Sequence, residues 1–343
     1  MTPTRRRMPR RALIAAIALL GLAPTLHASP DEATMKAVRM HDYGDASVLV
    51  YEDAPRPEVG DNQILVRIHA AGVNPVDWKL RSGMIKLPGA ALPAIPGFDI
   101  SGVVEQVGPA VTKFKAGDEV YAYLGVPRGG GAYAQYAAVP EADAALKPAS
   151  LDHAHAAAVP LAALTAWQAL VDKAQIKAGD TVLIHGAAGG VGHFAVQIAK
   201  ARGATVIATA SERNIPFVKG LGADVVVDYR VQRFEDFARD VDIVLDPIGG
   251  ETQARSFGVI KPGGILVSIV QPPDAAKLEE HKIRGTVFLV APSGAELAAL
   301  TDLIEAGAVR PDVSATFPLE KAADAHRASE EGVDHGKIVL LVP

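Results

Sequence analysis

Two hydrophobic rhythms divide the chain. Over residues 36–150 the apolar positions come in short runs broken by clusters of Gly, Pro and Asp. Among these, 36–40, 63–71 and 100–107 read as strands of a small, barrel-like β-rich region. From about Ala154 the pattern changes. Runs over 181–185, 205–208, 225–227, 243–245, 265–270 and 286–290 are apolar almost throughout, and 191–202, 214–221 and 252–259 between them suit helices. Near-continuous apolar strands alternating with helices predict a parallel sheet covered on both faces. After Pro292 the pattern predicts a helix over 296–306, then a strand, a helix and a strand ending at Leu341. That last piece is too short for a domain. It is expected to return to the first region, which makes the parallel sheet an insertion.

The first thirty residues follow neither rhythm. Arg5, Arg6, Arg7, Arg10 and Arg11 precede an apolar run over 12–23, no acid occurs before Asp31, and Pro24 and the small-residue region 26–29 follow. A basic start, a short apolar run and a small-residue end make a secretory signal, and the run is too short for a comfortable membrane span. Arg10-Arg11-Ala12-Leu13-Ile14 has the form of a twin-arginine signal, with Pro9 where a polar residue is favoured. Residues 1–28 are therefore expected to be removed, leaving a periplasmic or secreted chain with no stable membrane association. The alternatives are an uncleaved anchor, or an internal start such as Met35 and a cytoplasmic protein. An isolated native protein that still begins at Met1 would contradict export.

Composition narrows the classes further. A chain of 343 residues with 49% apolar content fits two ordinary domains with sizeable cores. Its net charge of −5 would become −10 once the five leading arginines are lost. An acidic balance excludes nucleic acid as a general partner. The chain has no cysteine, so disulfides and every thiolate-based metal or nucleophilic site are excluded.

The strongest local motif is Thr181-Val182-Leu183-Ile184-His185-Gly186-Ala187-Ala188-Gly189-Gly190-Val191-Gly192. It reads as a strand, a tight turn and a helix start. The three glycine positions of the dinucleotide-binding fingerprint fall at Ala187, Gly189 and Gly192, with Gly190 and Val191 completing the turn. Gly189 would let the backbone approach a pyrophosphate, and Gly192 would let helix and strand pack closely. The helix start then presents free N–H groups to the phosphates. Beyond the next strand, where an NAD site places an acid on the ribose, the chain carries Ser211, Glu212 and Arg213. Ser211 and Arg213 can donate to a 2′-phosphate, which favours NADPH. A slip of register would put Glu212 there instead.

Several separate segments resemble one family. They are Asn74-Pro75-Val76-Asp77 within 71–83, Pro96-Gly97-Phe98-Asp99-Ile100-Ser101-Gly102, Lys115-Ala116-Gly117-Asp118-Glu119-Val120, and the 187–192 turn in its Ala-x-Gly-Gly-Val-Gly form. Over about 35–342 the chain resembles the medium-chain dehydrogenase/reductase superfamily, in its zinc-free quinone oxidoreductase branch. The resemblance implies an α/β chain with a GroES-like β-rich substrate domain and an inserted Rossmann doubly wound parallel sheet. The implied organisation is 34–155 for the first part of the substrate domain, 156–291 for the nucleotide domain and 292–343 for the return. A homodimer is also implied. Asn74 and Phe98 occupy positions where zinc-dependent relatives carry Cys and His.

Without a metal, hydride is best passed to an acceptor that spreads the resulting charge onto oxygen, such as a quinone or an α,β-unsaturated carbonyl. Asn74 and Lys79 are the candidates for holding that oxygen. Asn74 can donate an amide hydrogen bond and Lys79 a charged one, although an Asn before Pro75 is also a common turn residue. By resemblance, Lys79 lies near nicotinamide and substrate, Thr165 borders the cofactor phosphates, and Tyr229 lies beside the adenosine phosphate. The rival readings are an alcohol- or enoyl-thioester-type reductase on the same fold, and an NADPH-binding sensor or structural protein without turnover.

Overall fold

The structure is a computed structural model that describes Thr2 and residues 34–89 and 91–343. The expected export signal, 1–28, lies outside the described residues apart from Thr2. Among the described residues no helix is long and apolar enough to cross a membrane.

The chain opens with a two-stranded antiparallel ribbon, β1 (Thr34–Met40) and β2 (Leu49–Pro55). The first sheet then begins with the long strand β3 (Gln63–Val73), followed by helix α1 (Pro75–Arg81). Its further strands are β4 (Asp99–Val107), β5 (Glu119–Tyr123), β6 (Tyr136–Pro140) and β7 (Ala144–Leu146). Helices α2 (His153–Ala157) and α3 (Pro160–Trp167) lead into the second sheet. There β8 (Thr181–Ile184), α4 (Gly192–Ala201), β9 (Thr205–Ala210), α5 (Ile215–Gly220) and β10 (Val225–Asp228) follow in turn. They are succeeded by β11 (Val241–Asp246), α6 (Gly250–Ser256), β12 (Ile260–Ser268), α7 (Ala275–His281) and β13 (Arg284–Val287). The chain ends with α8 (Gly294–Glu305), β14 (Val313–Pro318), α9 (Ala322–Glu331) and β15 (Lys337–Leu341).

The second sheet is parallel throughout, in the order β10-β9-β8-β11-β12-β13. Its strands are buried on both faces because alternate residues feed different cores. Val182 and Ile184 of β8 pack into one hydrophobic cluster and Leu183 into another. Strand order reverses direction between β8 and β11. In doubly wound sheets the ligand crevice opens at that switch, outside the carboxyl ends of the strands. The glycine turn follows β8 and so lies at this crevice.

The last segment returns to the first sheet, whose order is β14-β15-β3-β4-β5-β7 with β6 also on β3. Leu319, Ile338 and Leu340 complete the core built on Ile64, Val66, Ile68, Ile100 and Val120. Strand β13 differs from the expected 286–290. It pairs with β12 from Arg284, opposite Ile265, and ends at Val287. The partner strand sets this register, while the apolar run alone had suggested a later start.

Candidate active site

The glycine turn packs backbone on backbone. A Cβ at Gly192 would lie 2.3 Å from the Gly186 carbonyl oxygen and 2.7 Å from the Ala187 Cα, so nothing larger than hydrogen fits. Gly189 is different. It is exposed, and a Cβ there would meet only the Gly186 oxygen, at 3.3 Å. Its backbone is therefore open to an approaching ligand. Helix α4 begins at Gly192, at the end of this turn. The cradle that a side chain would fill, together with the helix start, fits the pyrophosphate of a dinucleotide.

Ser211 and Tyr229 stand at the same end of the sheet, just past β9 and β10. The Tyr229 amide donates to the Ala210 carbonyl. Ser211 is buried, whereas Tyr229 is 55% exposed. Arg213 forms an ion pair with Asp334 at 2.6 Å, both side chains being 60% exposed. Such an exposed pair is weak enough to be exchanged for a phosphate. Thr165 is buried in α3 and donates its hydroxyl to the Leu161 carbonyl at 2.7 Å, one turn back in the helix.

The second half of the site grows from the end of β3. Pro75 occupies the first turn of α1, where its missing N–H costs nothing. Asp77 accepts from the Asn74 amide N–H at 2.8 Å, closing the helix start. This leaves the Asn74 side chain turned away from the helix. Its Nδ2 donates to Asp99 Oδ2 at 2.9 Å, and its Oδ1 accepts from the Lys337 ammonium. Lys337 also donates to the Val73 carbonyl at 3.1 Å and lies 3.6 Å from Asp99 Oδ2. The remaining Asp99 oxygen accepts from the Leu161 N–H, at the start of α3, at 2.7 Å.

Strand register explains why these residues meet. Ile338 pairs with Val73 across β15 and β3, which sets Lys337 against Asn74. Gly72 pairs with Asp99 across β3 and β4 and leaves room for its carboxylate. Asn74, Asp77, Asp99 and Lys337 are all 3% exposed or less. Burial pushes Asp99 up and Lys337 down, each toward its neutral form, while their mutual attraction opposes both shifts. Burial also pushes the Asp77 carboxyl up, to about 7, against the two hydrogen bonds it accepts.

Lys337 links the two halves. Its Cδ lies 3.1 Å from where a Gly190 Cβ would be, and the Gly336 N–H donates to the Ala188 carbonyl at 2.9 Å. One lysine side chain therefore runs from the glycine turn to the Asn74 amide. Lys79, the expected charged partner, is not in this network. It is half-buried, with its ammonium 5.5 Å from the Trp78 ring. The sequence reading missed Lys337. Its only local trace is a charged residue heading the buried apolar run 338–340.

Beside Asp77 opens a cavity of about 500 Å³. Its wall is largely apolar, with Leu80, Leu92, Ile95 and Phe98, and the glycine run 129–131 borders it. That size and lining suit a small organic molecule.

A nucleotide cradle at a sheet switch, joined through Lys337 to a buried polar cluster, with an apolar cavity beside Asp77, defines a two-domain oxidoreductase with a GroES-like and a Rossmann part. The alcohol dehydrogenase GroES-like domain family matches residues 60–149, and the zinc-binding dehydrogenase family matches 221–340. The chain is 39% identical over 320 residues to the 2-methylene-furan-3-one reductase of Solanum lycopersicum, covering 89% of this chain and 79% of that protein. It is 40% identical over 319 residues to the chloroplastic NADPH-dependent alkenal/one oxidoreductase of Arabidopsis thaliana, with the same coverage of 89% and 79%. Among solved structures, the quinone oxidoreductase from Coxiella burnetii is 36% identical with a TM-score of 0.84, covering 91% of this chain and 100% of that one. The chain belongs to the medium-chain dehydrogenase/reductase superfamily, in its quinone oxidoreductase branch.

The zinc named by one family description does not fit the residues here. The chain has no cysteine, and among the described residues no three His, Asp or Glu side chains converge as a metal site. The Asp99 oxygens are already taken by Asn74, Leu161 and Lys337, and the ammonium would repel a cation.

Proposed function

We propose that the chain transfers hydride from NADPH to a quinone or an α,β-unsaturated carbonyl without a metal. The observation that carries this reading is the buried Asn74–Asp99–Lys337 cluster, set one lysine side chain from the glycine turn. Bound NADPH would supply the hydride. Gly189 and the start of α4 would hold its pyrophosphate, and Ser211 and Arg213 its 2′-phosphate. Asn74 spends one amide hydrogen on Asp99, and among the described residues no acceptor takes the second. That second N–H would orient the acceptor oxygen and support the charge that gathers on it. Lys337 and Asp99 fix the amide so that it need not reorganise during the reaction.

The test is NADPH oxidation screened against quinones and alkenals. At least one acceptor is expected to be reduced, with Asn74→Ala lowering kcat by about 10²-fold. Arg213→Ala should weaken NADPH binding and leave NADH binding unchanged. Tight NADPH binding with no oxidation by any acceptor would instead favour a nucleotide-binding protein without turnover.

A further inference from the structure

Asp77 is a second ionisable group at this site, distinct from the Asn74–Asp99–Lys337 cluster, and hydride transfer itself does not use it. Among the described residues it is the one acid in the wall of the cavity. The one base there, Arg128, is paired with Asp143. The two oxygens of Asp77 are not equivalent. Oδ2 accepts from the Asn74 N–H and from the Tyr133 hydroxyl, each at 2.8 Å. Oδ1 is buried and has no hydrogen-bond partner.

The neighbours keep it so. Gly97 is needed for Tyr133 to reach Asp77, since a Cβ there would lie 2.2 Å from the Tyr133 ring. The Tyr133 hydroxyl donates to Asp77, so it accepts from His326 Nε2, at 3.2 Å. His326 Nδ1 then faces Arg81, at 3.4 Å, which can only donate. Every donor in this line points toward Oδ2. A proton carried by Asp77 must therefore sit on Oδ1, as a donor with no acceptor among the described residues. The other charged groups near Asp77 are Asp99, which favours its protonated form, and Lys337, which opposes it.

We propose that Asp77 is the general acid that protonates the reduced acceptor, its Oδ1–H reaching the acceptor when the wall that buries this oxygen beside the cavity yields to the bound molecule. This rests on the hydride-transfer reading above. Hydride brings two electrons and forms a C–H bond at the β-carbon of an enone, and the π pair moves to give an enolate. The Asp77 O–H bond then breaks and its proton joins the α-carbon, yielding the saturated ketone and a carboxylate. With a quinone, hydride delivered to one carbonyl oxygen forms an O–H bond and gives the hydroquinone monoanion, whose other oxygen takes the Asp77 proton. After product leaves, water entering the cavity returns a proton to Asp77.

Asp77→Asn is the direct test, because its amide oxygen can still accept from Asn74 and Tyr133. The expected loss in kcat is about 10²-fold. With Asp77 titrating at about 7, wild-type turnover should fall as pH rises through that value, since the acid form is lost. Asp77→Asn should abolish that limb. Tyr133→Phe, which removes one hydrogen bond to the carboxylate, should move the limb to higher pH. Infrared spectroscopy of the protein without acceptor provides a readout independent of activity: a carboxylic-acid carbonyl band should titrate near 7 and be missing in Asp77→Asn. A protonated band confined to the ordinary carboxylate range, or an unchanged pH limb in Asp77→Asn, would overturn the assignment. A wild-type protein that reduces no quinone or enone would defeat the hydride-transfer reading alone, and the infrared titration would still decide where Asp77 carries its proton.

Discussion

Replacing Gly192 by alanine is expected to abolish nucleotide binding and to lower the melting temperature together. The new methyl would sit 2.3, 2.7 and 2.9 Å from the Gly186 oxygen, the Ala187 Cα and the Ala187 carbonyl carbon. All three are backbone atoms of the turn itself, so relief requires α4 to move away from β8. Overpacking of this kind costs roughly 1–3 kcal/mol, and more where backbone must shift. The same movement displaces the helix start from the phosphates it would hold. Gly189→Ala is the control. Its methyl faces open space apart from one oxygen at 3.3 Å, so stability should persist while nucleotide affinity drops. Thermal melts and NADPH titrations of both variants check this. A Gly192→Ala protein with wild-type melting temperature and affinity would show that the turn is not the cradle.

Replacing Lys337 by methionine is expected to have the largest effect on stability. Methionine fills most of the stem's space, so the change is chiefly electrostatic. Asp99 would keep its hydrogen bonds from Asn74 and Leu161 but lose its cation while wholly buried. Removing one partner of a buried ion pair costs about 3–5 kcal/mol. The sign of the pH dependence follows. Asp99 already titrates above its ordinary value of 3.8 in the fold, and losing Lys337 raises it further. The penalty falls on the ionised form, so the deficit should grow as pH rises through the raised range in which Asp99 ionises in the wild-type fold, and shrink at lower pH, where Asp99 is protonated in the folds of both wild type and variant. Denaturant unfolding at several pH values measures it. The double variant Lys337→Met/Asp99→Asn should recover much of the loss. A deficit that does not change with pH would separate Lys337 from Asp99 energetically.

The two halves of the site differ in how far the sequence reveals them. The glycine turn is local. Its strand, glycines and helix follow one another within twelve residues, and each carries its meaning in residue type alone. The parallel sheet is legible for a similar reason, because β8 and β11 are apolar on consecutive positions and only burial on both faces explains that. The other half depends on register between distant strands. Asn74 and Lys337 are 263 residues apart, and Asn74 and Asp99 are 25 apart. A lysine near a chain end reads as a surface residue until β15 is placed between β14 and β3. The Asn-Pro-x-Asp segment pointed to Asn74 and suggested Lys79 as its cation, because nothing local distinguishes a lysine over Trp78 from one aimed at Asn74. Arg213 stood out locally as a candidate phosphate ligand, but its exposed partner Asp334 did not, since that contact joins distant segments.

The position of β15 has a consequence for how the protein is made. Both the glycine turn and the Asn74 amide are synthesised long before Lys337, which stands only six residues from the final Pro343. Until that strand arrives, the edge of β3 beyond β4 and β6 lacks its pairing, and the Asn74 carbonyl lacks its donor. The candidate site is thus assembled only once β15 has been made and docked against β3. A chain cut before β15 would keep the strands of its parallel sheet and lose the Lys337 contact to Asn74, so the two halves of the site can be separated by where the chain is cut.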